Sequence, residues 1–125
     1  MTAQRRRGRG PLVAVLYSVP LLYEAISSSL DEIAEVHGFP AGRGDPVGLL
    51  RALAPDAVVV DDPAEAEAVS AWAEEEDVPL VHVRLLERKL RLLRHGEWKD
   101  SIGASGDAIR NVIAGSLYAR DAVQS

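Results

Sequence analysis

Apolar and polar positions follow two different rhythms along this chain. Residues 12–18 (LVAVLYS) are a nearly continuous apolar run between Pro11 and Pro20. A run of that length predicts a short strand covered on both faces. The period then changes. Leu22, Ile26, Leu30 and Ile33 recur at three- and four-residue steps, with Glu24, Asp31, Glu32 and Glu35 on other faces. This predicts an amphipathic helix opened by Pro20 and closed by Gly38. A brief second strand is expected near Phe39 to Gly42. Asp45-Pro46 reads as a cap and first-turn pair for a short helix through Leu49, Leu50 and Leu53, ended by Pro55. Ala57 to Val60 is a second buried strand running into Asp61 and Asp62. Pro63 then starts an acidic helix that carries Ala66, Val69 and Trp72 and fades at Glu76-Asp77.

Beyond Pro79 the helices stop alternating with strands. Leu80 to Leu86 and Lys89 to Arg94 both read as strands, and only Glu87-Arg88 separates them. No crossover helix fits in that gap, so the two form an antiparallel hairpin. His95-Gly96 marks a turn, with Trp98 as a further contact. Ser105 is expected to cap a last helix with Ile109, Val112, Ile113 and Leu117 on one face. The order β-α-β-α-β-α-β-β-α predicts a three-layer α/β fold. Its sheet is mostly parallel, ordered 2-1-3-4-5, with the antiparallel hairpin and its fifth strand at an exposed edge.

Composition narrows the chemistry. A length of 125 residues allows one core. We expect a single domain over 11–125 and a flexible basic tail over 1–10, where Arg5, Arg6, Arg7 and Arg9 stand without an acid. The formal net charge of −5 disfavours a broad nucleic-acid face. With no cysteine, disulfides, zinc-thiolate sites and cysteine nucleophiles are excluded. The run after Pro11 is too short and interrupted for an export signal, and no apolar run approaches the ~20 residues of a membrane span. A cytoplasmic protein is expected.

Two stretches carry a family resemblance. Residues 55–61 (PDAVVVD) are similar to the response-regulator receiver strand that ends in the phosphorylatable aspartate, which places Asp61 at that position. Residues 13–25 (VAVLYSVPLLYEA) resemble the receiver's opening strand and helix. The resemblance reaches about as far as the Leu80–Leu86 strand and implies a flavodoxin/receiver-like fold. It also implies phosphoryl chemistry, and there the sequence departs from it. The receiver's acidic pair after the first strand is replaced by Tyr17 and Ser18, neutral groups that cannot supply the charge Mg²⁺ requires. Its switch Ser/Thr falls on Arg84, and its lysine has no counterpart. Asp61 is therefore expected to be a phosphoacceptor equivalent without the machinery, in a pseudo-receiver that works by protein contact.

Other readings compete. The crevice beyond the strand ends gathers Tyr17, Ser18, Asp61 and Asp62, with Arg84 and Arg88 approaching, and suits a small ligand or nucleotide. The structural alternative has Ser18 capping the first helix and Asp61 or Asp62 the third. A hydrolase would need Ser18 with His37, His82 or His95, but no two of these are placed to cooperate and the glycines of a nucleophile elbow are missing. No catalytic residue, metal site or cofactor is expected. The Gly103–Gly106 turn lacks a phosphate-loop motif, and the Arg43-Gly44-Asp45 triplet is discounted because Asp45 serves as a helix cap. The hairpin is basic through Arg84, Arg88, Lys89, Arg91, Arg94 and Lys99, whereas the helix from Glu65 to Asp77 is acidic. Basic residues at a sheet edge guard against edge pairing. A homodimer through the hairpin or the final helix, or contact with another protein, is expected.

Overall fold

The structure, a computed structural model, describes residues 11–42, 44–84, 87–102 and 106–124. Six strands and four helices follow one another along these residues. The first half contains β1 (Leu12–Tyr17), α1 (Pro20–Leu30), β2 (Glu35–Pro40), α2 (Pro46–Leu53) and β3 (Ala57–Val60). The second contains α3 (Pro63–Glu76), β4 (Leu80–Arg84), β5 (Lys89–Arg94), β6 (Glu97–Ile102) and α4 (Gly106–Gln124). One mixed sheet has the order β2-β1-β3-β4-β5-β6, a flavodoxin-like topology extended at one edge. β2, β1, β3 and β4 run parallel, and β4, β5 and β6 form an antiparallel meander.

Alternation along the strands divides the core between two sheet faces. Val13, Val15, Ala57, Val59, Val81, Val83 and Leu90 meet Leu22, Ile26 and Leu30 of α1 and Ile109 and Ile113 of α4. Ala14, Leu16, Val58, Val60, Leu80 and Leu93 meet Leu50 of α2 and Ala66, Val69, Trp72 and Ala73 of α3. Both faces of β1 and β3 are buried, which is why these strands read as continuous apolar runs. The three-layer arrangement and the antiparallel β4-β5 pair agree with the sequence reading.

Several boundaries differ from it. α1 ends at Leu30, so Ile33 lies in the following turn and Gly38 does not close the helix. Gly38 instead sits in β2, where any Cβ would overlap the ring of Tyr23. The second strand is Glu35–Pro40 rather than Phe39–Gly42, and it begins early because Glu35 N donates to Pro11 O at 2.8 Å. β5 is not the edge: β6 pairs along its whole length, from Lys89 opposite Ile102 to Arg94 opposite Glu97. The two-residue turn between them has positive φ at both His95 (52°) and Gly96 (77°), the geometry that lets a tight hairpin follow strand twist. The expected tail with Arg5, Arg6, Arg7 and Arg9, Arg43, Leu85-Leu86 and the Ser105 cap lie outside the described residues.

Candidate functional site

β1 and β3 are parallel neighbours, so their carboxyl ends emerge side by side at the mouth of the sheet. Asp61 continues this pairing for one more step, its N–H donating to Leu16 O at 3.4 Å. From there the side chain reaches the β1–α1 corner. Asp61 Oδ1 accepts from Ser18 N at 2.8 Å and from Ser18 Oγ at 2.9 Å, and Oδ2 accepts from Val19 N at 3.1 Å. Both carboxylate oxygens thus hold the corner that starts α1. Ser18 does not cap that helix. Val19 occupies the cap position and offers no side-chain acceptor, so the acid 42 residues later in the chain fixes the entry instead.

Asp62 has a separate role. It is the N-cap of α3, and its Oδ2 accepts from Glu65 N at 3.0 Å. Adjacent residues leaving a strand diverge, and here one carboxylate turns to α1 and the other to α3. Of the two alternatives expected for helix capping, Asp62 is the one that caps. Asp45 stands at the cap position of α2, but its carboxylate makes no capping bond. Tyr17 lies half-buried beside the mouth, stacked on Tyr23 with ring centroids 5.1 Å apart and 14° between planes.

The basic residues lie farther along the sheet. Arg84, the last residue of β4, is ion-paired with Glu87. Arg88 occupies the β4–β5 turn with φ of 53°. The structure therefore joins Ser18 to Asp61, sends Asp62 to α3, and commits Arg84 to its own hairpin. Among the described residues, no three or more His, Asp or Glu side chains converge as ligands for a metal ion.

The histidines are dispersed. His37 is in β2, not at a helix end, and pairs with Glu35 at 2.5 Å. His95 lies in the β5–β6 turn, 3.5 Å from Asp77. Neither is joined to Ser18, whose hydroxyl is already given to Asp61.

His82, a candidate base for Ser18 in the hydrolase reading, lies in the middle of β4. It shares a sheet face with Leu80 and Arg84, because β4 alternates. Its cross-strand partners are Val60 on β3 and Arg91 on β5. The residue as a whole is 6% exposed, and among the described residues the buried side-chain nitrogen left without a partner is Trp72 Nε1, not a nitrogen of this ring. Burial, followed by the charges of Arg84 and Arg91, holds its pKa below the ordinary histidine value, against the opposing pull of Glu87 and Asp61. Arg91 Nε donates to Asp100 Oδ1 at 3.0 Å, and its guanidinium lies 4.9 Å from the Trp98 ring centroid. The clue to this cluster was the strand register, which a single sequence does not supply.

No helix among the described residues is long and apolar enough to cross a membrane. No protein-family model, curated protein or solved structure matches the chain. What stands is the architecture: an α/β domain with a mixed six-stranded sheet of order β2-β1-β3-β4-β5-β6.

Proposed function

We propose that this domain is a non-catalytic signalling or regulatory module, resembling a receiver with an incomplete phosphorylation site and acting through protein contacts. The observation that carries this reading is the engagement of Asp61: three donors from Ser18 and Val19 occupy both oxygens of the acid at the phosphoacceptor position. A phosphoacceptor needs one oxygen free as nucleophile and, with neighbouring acids, a share of a divalent ion. Here the neighbours on β1 are Tyr17 and Ser18, which bring no charge. The crevice reading loses support for the same reason, since its central carboxylate is already satisfied.

The clamp has a second consequence that favours contact function. The corner it fixes holds Val19 at 39% and Leu21 at 74% exposure, two large apolar side chains flanking the exposed Pro20. A rigid apolar projection loses little conformational entropy on docking. Self-association through the meander or α4 remains part of the proposal, with β6 as the free edge in place of β5.

The deciding experiment incubates the protein with an acyl-phosphate donor and Mg²⁺ and follows the intact mass. No stable phosphoryl adduct is expected. An adduct that disappears in Asp61→Asn would overturn the reading. Light scattering at micromolar concentration tests self-association, and a monomeric mass would remove that part.

A further inference from the structure

The sheet ends in two edges, β2 and β6, and neither pairs on its outer side with another described strand. The two differ in what an added strand would meet. β6 carries Glu97, Lys99 and Asp100, all exposed. β2 carries no lysine or arginine, and its Glu35 and His37 are already joined at 2.5 Å. Charged residues, lysine above all, keep sheet edges from pairing, as does proline. β2 has only Pro40, at its very end, to serve that purpose. The direction of its backbone groups follows from its bonds to β1. Glu35 N donates to Pro11 O at 2.8 Å, and Ala41 N donates to Tyr17 O at 2.7 Å. Amide direction alternates along a strand, so Glu35, His37 and Phe39 face β1, whereas Val36, Gly38 and Pro40 face outward.

We propose that the outer edge of β2 binds a second copy of this chain, strand to strand and antiparallel, about a two-fold axis at His37. This goes beyond the contact function above, because it moves self-association from the meander and α4 to the opposite edge. Two copies related by a closed two-fold pair an edge antiparallel, with each strand's outward groups set against those of the other. On β6 the two longest such registers place Lys99 against Lys99 or Asp100 against Asp100. Like charges directly opposite each other work against pairing. On β2 the register centred on His37 sets Val36 of each copy opposite Gly38 of the other. Each Val36–Gly38 pair exchanges two hydrogen bonds, so the outward N–H and C=O groups of both residues are all satisfied. Pro40, which has no N–H to give, lies just beyond the paired stretch. The His37 rings meet at the axis, 41% exposed in the single chain, and each brings its own Glu35 carboxylate. Glu35 of one copy also lies diagonally across from His37 of the other, so the four side chains are complementary in charge.

The test is amide exchange of the full chain by NMR, with light scattering on the same samples, from about 20 μM to about 1 mM. The mass is expected to rise toward that of two chains over this range. Exchange at Val36 and Gly38 should slow with it by about tenfold or more, while Trp98 and Asp100 on β6 keep their rates. His37→Lys sets two fixed cations against each other at the axis and should weaken the association about fivefold. Lys99→Glu, on the other edge, should leave it unchanged. A dimer in which Val36 and Gly38 exchange as fast as in the single chain overturns the proposal and keeps self-association through the meander or α4, with protection at Trp98 and Asp100 marking the meander. A chain that stays monomeric throughout overturns both. Unchanged affinity in a folded His37→Lys variant overturns the pairing about His37.

Discussion

Replacing Asp61 distinguishes a structural clamp from a functional acid by the sign of its effect on stability. Acids retained for chemistry are commonly held at a cost, and their removal tends to stabilise a fold. Asp61 should behave in the opposite way. Asp61→Ala removes the acceptor for Ser18 N, Ser18 Oγ and Val19 N, at 2.8, 2.9 and 3.1 Å. A buried charge-assisted bond is worth about 1.5–3 kcal/mol, but this corner is exposed and water replaces part of each bond. The expected net loss is therefore about 1–2 kcal/mol for the set, from discounting each bond to a fraction of its buried value. With a urea m-value of about 1–3 kcal/mol/M, the unfolding midpoint should fall by roughly 0.5–1 M. Ser18→Ala removes only the hydroxyl donor and should lose about 0.5 kcal/mol, a typical net value for one exposed bond. Amide exchange supplies the local readout, because Ser18 and Val19 should lose protection in Asp61→Ala while β4 keeps it. An Asp61→Ala protein with an unchanged or higher midpoint would refute the clamp.

Three further outcomes follow from the same structure. Because burial and two arginines lower the His82 pKa in the folded chain, the unfolded chain binds more protons as pH falls below the ordinary histidine pKa of about 6.5. Stability should therefore be full above that pH and decline on acidification through it, and His82→Gln should flatten that part of the urea-midpoint profile. Gly38→Ala drives a methyl into the Tyr23 ring and breaks its stack on Tyr17, at about 1–3 kcal/mol, visible as a lower Tm and altered tyrosine near-ultraviolet dichroism. Asp62→Ala should cost about 1 kcal/mol by removing the α3 cap, and Asp62→Asn should recover most of it in the same urea melts.

What the sequence disclosed was governed by burial on one face or two. β1 and β3, apolar on both sides, stood out as runs, and α3 was marked by Asp62-Pro63 at its start. β2 was misplaced because it is an edge strand with half-buried side chains and includes Glu35, His37 and Gly38. β6 was missed because its charged residues concealed the alternation, although a two-residue turn ending in Gly96 already pointed to a second hairpin. At the site, Asp61 was legible from its place after a run of valines. Its partnership with Ser18, 43 residues earlier, depended on strand adjacency. The His82 cluster was less legible still, since it takes residues from two strands whose register only folding sets.

The contrast between the two halves of the sheet bears on how the chain assembles. The β4–β6 meander joins strands through turns of two to four residues, so its ends meet with little loss of chain freedom. β1 is the opposite case, because it must find β3 across 44 positions and also accept β2 on its other side. Contacts of that span form slowly. The meander is therefore expected to form first, and the contact of Asp61, after β3, with Ser18, after β1, to close last, an order that pulsed hydrogen exchange checks.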